Sequence, residues 1–327
     1  MKFSIIIPVK SINDYVRETV PYVQALTSFE WELFIIPNNM ENNEWQEDGR
    51  VTILDSGRVG PADKRDLGAQ RASGDILVFL DDDSYPEPNI LEVASKRFND
   101  SEVVAVGGPG VTPPTDNFWQ RVSGAVFLSK FTGGAPERYI SVGHAREMDD
   151  WPSVNLMVRK SVFLSVGGFD SKYWPGEDTM LCLKLKKIGK KLMYEPNMVV
   201  WHHRRAGFGT HFKQVGAYGL HRGFFAKKYP DTSFRLKYFL PTMFLLFVLF
   251  TLLNILYSFL SIIFINIGWT IYGLVLIMGA FDAAKFERLS VVIMSMLYVP
   301  LTHLYYGFWF LIGFFKQGEL VSRLRNA

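Results

Sequence analysis

The sequence predicts an α/β domain with a mostly parallel sheet, followed by an all-α membrane region. Three observations carry this. Short continuous apolar runs alternate with helix-length stretches early in the chain. No charged residue occurs from Tyr238 to Ala280. Charge is segregated: residues 1–203 carry 22 Lys and Arg against 28 Asp and Glu, a net of −6, whereas residues 204–237 carry eight against Asp231 alone, a net of +7.

Phe3 to Val9, Leu33 to Ile36 and Ile76 to Leu80 are apolar runs bounded by polar or turn residues, as expected of parallel strands covered on both faces. Helices are expected near 12–27 and 62–73, which gives a doubly wound start. A less regular region comes next, punctuated by Gly107-Gly108-Pro109-Gly110 and Pro113-Pro114. A chain of 327 residues is near the upper end of what one core holds, so two units are expected. A hydrophobic content of 48%, with 15% aromatic residues, excludes a disordered or fibrous chain. Cys182, the single cysteine, excludes an intrachain disulfide and a Cys-based zinc site.

The uncharged run from 238 to 280 has 43 residues. As helix, at about 1.5 Å per residue, it crosses a hydrocarbon core of about 30 Å twice. Spans are expected near 239–259 and 261–281. Beyond the link with Asp282, Lys285, Glu287 and Arg288, a third apolar run from Leu289 to Phe315 is long enough to span but contains Pro300 and His303. Crossing and lying in the interface both stay open for it. The chain begins on a strand-like run rather than a signal peptide, so residues 1–235 are expected in the cytosol and residues 236–327 in a multi-pass cell-membrane region. The basic stretch agrees, because positive charge collects on the cytoplasmic flank and attracts anionic membrane lipid. Three spans would put Lys316, Arg323 and Arg325 outside; two spans with an interfacial helix would keep them inside, as charge favours.

Asp81-Asp82-Asp83 comes directly after the strand ending at Leu80, and open parallel sheets bind ligands outside the carboxyl ends of their strands. Three adjacent carboxylates repel unless a cation or solvent relieves them, and such hard oxygen ligands suit Mg²⁺ or Mn²⁺; an Asp-rich turn is the plain alternative. Upstream, Gly60-Pro61-Ala62-Asp63-Lys64-Arg65-Asp66-Leu67-Gly68 puts two cations at the start of a helix, an anion site apt for a diphosphate. Surface charge after an ordinary turn would look the same. Trp174-Pro175-Gly176-Glu177-Asp178 opens another helix, on which Leu181, Leu185 and Ile188 share a face and which Gly189 can close. Acids are favoured at that position by the helix dipole alone; the functional reading is a general base. Val199-Val200-Trp201-His202-His203-Arg204-Arg205 ends an apolar run with residues that could complete a metal site or hold phosphate.

In this order the motifs resemble the family-2 glycosyltransferases of the GT-A fold, over most of residues 3–225. Ile5-Ile6-Ile7-Pro8-Val9 resembles the family's first strand, and Lys64 to Gly68 its nucleotide-side helix. Phe79-Leu80-Asp81-Asp82-Asp83 resembles its DxD motif, and Gly167-Gly168-Phe169-Asp170 with Gly176-Glu177-Asp178 its acceptor-side GGFD and ED pair. The resemblance implies a GT-A-like nucleotide-sugar-binding domain. Asp81 would contact the donor, Asp83 with Asp81 would hold Mg²⁺ or Mn²⁺, and His202 or His203 would approach the metal or diphosphate. Pro8, Lys64, Arg65 and Asp82 would belong to the donor side, and Asp178, beside Glu177, would be the base. Gln214 and Arg222 are loosely similar to a Gln and Arg that contact diphosphate in processive members. Those members carry a Trp where Gly223 stands, which speaks against polymerisation. Ile36-Pro37-Asn38-Asn39 stands where many members carry a uracil-reading Asp, so UDP is not implied, and Asp66 replaces the usual Asn.

The implied function is metal-assisted, inverting transfer of a sugar from a nucleotide-diphospho-sugar to a lipid-linked or glycan acceptor at the membrane, with no nucleic acid involved. Two other readings stay open. A nucleotidyltransferase would carry a Gly-rich, basic loop where Pro8-Val9-Lys10-Ser11 stands. An inactive membrane scaffold would not need Asp81, Asp83, Glu177 and Asp178 intact.

Overall fold

The structure, a computed structural model, describes residues 1–42, 44–169, 172–257 and 261–320. Asp170 of the GGFD motif, residues 258–259 of the first expected span, and Arg323 and Arg325 lie outside them. In chain order the elements are β1 (Lys2–Pro8), α1 (Asp14–Gln24), β2 (Glu30–Ile36), β3 (Val51–Ile53), α2 (Pro61–Arg71), β4 (Ile76–Leu80), β5 (Ser84–Pro86), α3 (Ile90–Phe98), β6 (Val103–Gly107), β7 (Gly110–Val111) and α4 (Phe118–Ala125). After these come β8 (Arg146–Met148), β9 (Asn155–Arg159), α5 (Lys160–Ser165), α6 (Glu177–Lys187), β10 (Lys191–Tyr194), β11 (Val200–His202), α7 (Phe208–Lys228), α8 (Pro230–Ser233), α9 (Leu236–Tyr257), α10 (Ile262–Ala283) and α11 (Leu289–Phe315). They form two compact units, Met1–Pro113 with Ile140–His203, and Pro114–Tyr139 with Arg204–Leu320.

The first unit is built on an eight-stranded sheet in the order β3-β2-β1-β4-β9-β6-β10-β8. Pairing is parallel from β3 through β4 and between β6 and β10. It is antiparallel on both sides of β9 and at β8, so those two strands run against the other six. The apolar runs are continuous because both faces are covered. Ile5 and Ile7 pack with Val16, Val20 and Val23 of α1 on one face. Ile6, pointing the other way, packs with Ala69 of α2 and Leu181 of α6. Asn13 caps α1 by accepting from Val16 N at 2.9 Å, and Pro61 opens α2. A second sheet, β5-β11-β7, pairs β11 antiparallel to β5 and parallel to β7.

In the second unit, residues 114–139 join the C-terminal helices. Arg121 Nη2 pairs with Glu287 Oε2 at 2.6 Å, and Ser129 Oγ donates to Asp282 Oδ2 at 2.8 Å. Among the described residues, α9, α10 and α11 are long and apolar enough to cross a membrane. α9 and α10 pack antiparallel, with Phe244 stacked on Tyr272 at 3.8 Å and Phe247 against Trp269 at 5.4 Å.

Candidate active site

The parallel strands β1, β2 and β4 end on one edge of the sheet, where open α/β sheets bind ligands. Asp81, Asp82 and Asp83 leave β4 there. The register of the small sheet sets His202 opposite Ser84, and so beside Asp83. His202 Nε2 lies 3.2 Å from Asp83 Oδ1, and one ligand atom from each of Asp81, Asp83 and His202 falls within 4.8 Å of the others. Asp83 is buried at 3% exposure. Two carboxylates and an imidazole, converging on one partly buried point, are a donor set that fits Mg²⁺ or Mn²⁺.

The two histidines part company at this point. His203 donates its backbone N–H to Asp83 O at 3.0 Å, but its ring turns to Glu18 Oε2 at 2.9 Å and stacks on Tyr15. Asp82 accepts from Asn13 Nδ2 at 2.8 Å. Pro8, without an N–H, ends β1 opposite Ile36.

The cations of α2 are engaged with the protein. Lys64 Nζ donates to Val9 O and, at 2.7 Å, to Asn38 Oδ1, tying together the segments beyond β1 and β2. Its burial lowers its pKa to about 8, against the pull of Asp82 and Glu41. Arg65, buried, bridges two acids: Nη2 donates to Asp81 Oδ1 at 2.6 Å and Nη1 to Glu177 Oε1 at 3.2 Å. Its guanidinium also lies 5.4 Å from the centre of the Phe169 ring. Arg65 thus joins the carboxylates after β4 to the start of α6.

Glu177 and Asp178 open α6. Glu177 is buried, and burial, with Asp178 beside it, pushes its carboxyl above the ordinary range, while Arg65 works against that shift. Asp178 is half-buried and accepts from Thr179 N at 2.7 Å. One expectation needs correction: α6 ends at Lys187, so Ile188 caps it and is 48% exposed instead of sharing the buried face of Leu181 and Leu185.

Asp66, to which the sequence alone assigns no role, accepts from Phe169 N at 2.9 Å. Its carboxylate occupies the space that a Cβ on Gly168 would need, and Gly168 holds φ +62, a region suited to glycine. Lys184 of α6 donates to Gly168 O at 3.0 Å. Burial raises Asp66 to about 6. Nothing local in the sequence announces this link, nor those of Asn13 and Glu18, because each partner is distant along the chain.

Gln214 and Arg222 belong to the second unit. Gln214 Nε2 donates to Tyr218 Oη at 3.0 Å. Arg222 Nη1 donates to Ser233 Oγ at 3.2 Å, and its guanidinium lies over Tyr238. Gly223 could not be a Trp, since even a Cβ there would collide with Phe310 O.

Residues 4–162 match the family described as Glycosyl transferase family 2. The glucosyl-dolichyl phosphate glucuronosyltransferase of Haloferax volcanii is 26% identical over 279 residues, covering 78% of this chain and 87% of that protein. The O-antigen biosynthesis protein RfbC of Myxococcus xanthus is 28% identical over 224 residues, 63% of this chain but 17% of that protein. The pre-mycofactocin glycosyltransferase of Mycobacterium tuberculosis is 29% identical over 174 residues, 53% of this chain and 36% of that protein. The chain therefore spans well under two thirds of the length of the latter two. Among solved structures, the mannosyltransferase PcManGT from Pyrobaculum calidifontis, in complex with GDP-Man and Mn²⁺, superposes with a TM-score of 0.55 at 13% identity, covering 97% of this chain and 88% of that one. That likeness is one of fold.

Proposed function

We propose that this chain, which matches glycosyl transferase family 2 over residues 4–162, has a GT-A-like fold and carries long apolar helices, is a membrane-anchored inverting glycosyltransferase. It moves a sugar from a nucleotide-diphospho-sugar to a lipid-linked or glycan acceptor at the membrane, with residues 1–235 on the cytosolic side. The observation that carries the reading is the convergence of Asp81, Asp83 and His202 at the carboxyl end of β4, joined through Arg65 to the acidic start of α6. The glucosyl-dolichyl phosphate in the name of the Haloferax volcanii relative supports a polyprenyl-linked acceptor.

In this reading Asp178 takes the proton of the acceptor hydroxyl, whose oxygen attacks the anomeric carbon. The bond from that carbon to the diphosphate oxygen breaks on the opposite face, so the configuration inverts. Asp81, Asp83 and His202 would hold Mg²⁺ or Mn²⁺, which when bound supplies Lewis-acid neutralisation of the leaving diphosphate. Arg65 is a positioning residue: it keeps Asp81 and Glu177 at one spacing and lets Glu177 stay buried. Lys64 orders the strand ends that face the nucleotide.

The test is Asp178→Asn. Loss of a general base lowers turnover by about 10²–10⁴-fold, with donor binding by calorimetry unchanged, and NMR of the wild-type product should show the opposite anomeric configuration to the donor. Wild-type turnover by Asp178→Asn, or a retained configuration, would overturn the assignment.

A further inference from the structure

The third apolar helix is long enough to span. At about 1.5 Å per residue, its 27 residues reach about 40 Å. Its partner argues otherwise. From Tyr298 onward, α11 runs parallel to α7. Phe208 meets Tyr298 at 5.3 Å, His211 Nε2 lies 2.9 Å from Thr302 Oγ1, and Phe212 meets Tyr305 at 5.6 Å. Further along, a Cβ on Gly223 would collide with Phe310 O and one on Gly313 with Leu220 O, so the two backbones touch. At the end of α7, Lys228 Nζ lies 3.3 Å from Oε1 of Glu319, just beyond α11. α7 carries Lys213, Arg222, Lys227 and Lys228 and is not a spanning helix, because charges are costly near a bilayer centre. A helix held along a non-spanning helix from Tyr298 to its end does not span either.

The ends of α11 agree. A five-residue link, 284–288, joins it to the end of α10. Its later half meets the beginning of α9: Thr242 Oγ1 donates to Gly307 O at 3.3 Å, and Phe239 packs on Phe310 at 4.8 Å. Since α9 and α10 are antiparallel, the beginning of α9 and the end of α10 lie on the same side of the bilayer. Both ends of α11 therefore lie on that side.

The exposed surface of α11 shows what covers it. Leu289, Ile293, Leu297, Leu301, Phe308 and Phe315 recur on one face and are 42% to 70% exposed. The opposite face, with Val292, Ser295, Val299 and Thr302, is buried. We propose that α11 is an in-plane membrane helix that lays this apolar stripe into one lipid leaflet, so that the chain crosses the bilayer twice and Lys316 lies on the same side as α7. The leaflet is the occupant because the stripe lies one short link, 284–288, from α10, a helix long and apolar enough to span whose Ile271, Leu274, Ile277 and Phe281 are likewise exposed.

The test uses the full chain in sealed membrane vesicles, with Lys213→Cys, Gln317→Cys or Ser261→Cys and an impermeant maleimide; Cys182 is buried. Lys213→Cys and Gln317→Cys should label together and Ser261→Cys from the opposite side. Labelling of Gln317→Cys together with Ser261→Cys would overturn the proposal, whichever way the vesicles face. As a second measurement, spin labels at Ile293, Leu297, Leu301 and Phe308 should report one common depth by oxygen and nickel collision. A depth profile that passes through the bilayer midplane would also overturn it.

Discussion

Asp66→Asn isolates the energetics of a half-buried acid at the edge of the candidate site. Asp66 accepts from Phe169 N, and an amide oxygen can accept the same bond, so the substitution removes charge while keeping the link. Burial raises the carboxyl from 3.8 to about 6. A raised acid binds more protons folded than unfolded between these values, so it lowers stability as pH rises from about 4 to about 6. The penalty is absent below about 4 and complete above about 6. Two pKa units correspond to about 3 kcal/mol; screening at this half-buried site brings the expectation to about 2–3 kcal/mol. The amide variant carries no such penalty. Asp66→Asn should therefore raise the apparent melting temperature in detergent at pH 8 by roughly 5–10 °C, and the gain should vanish at pH 4. The assay is a pair of melting curves across pH 4 to 8. A variant less stable than wild type at pH 8, or a gain independent of pH, would refute the burial argument.

His202→Ala should weaken Mn²⁺ binding, measured by the free-ion EPR signal, by at least about 10-fold, whereas His203→Ala, whose ring faces Glu18, should leave it nearly unchanged. Equal effects would mean that the ring orientations do not decide the ligand. Gly223→Ala, whose Cβ meets the Phe310 carbonyl, should lower the apparent stability of the helical unit by about 1–3 kcal/mol. Gly209→Ala, with nothing within 4 Å, should be tolerated. Comparable melting curves for the two variants would show that α7 and α11 have room to separate.

Much of the site is legible in the sequence because its signals are local. A run such as Ile76 to Leu80 is a strand covered on both faces, and the residues directly after it fall on the edge where open α/β sheets bind ligands. Glu177 and Asp178 can be placed at a helix N-terminus for the same reason. The features that escape a sequence reading depend on distant partners. β9 enters antiparallel between β4 and β6, and no periodicity distinguishes that from a parallel strand. Lys64 and Arg65 read as a pair of anion-facing cations. Burial turns one onto Val9 and Asn38 and the other into a bridge between Asp81 and Glu177, residues 16 and 112 positions away. Residues 114–139 read as irregular domain sequence, yet Arg121 and Ser129 pair with Glu287 and Asp282. Gly223 reads as a missing Trp, and its reason lies in Phe310, far along the chain.

The central claim is metal-dependent use of a nucleotide sugar. The measurement that reaches it most directly is nucleoside diphosphate release by detergent-purified protein from a panel of UDP-, GDP- and dTDP-sugars, with a membrane lipid extract as acceptor. It is run with Mn²⁺ or Mg²⁺ and again with EDTA. Release from one donor, abolished by EDTA and by Asp83→Ala, is the predicted result. Release that persists in EDTA would contradict the role given to Asp81, Asp83 and His202, and the absence of release from every donor would contradict the transferase reading itself.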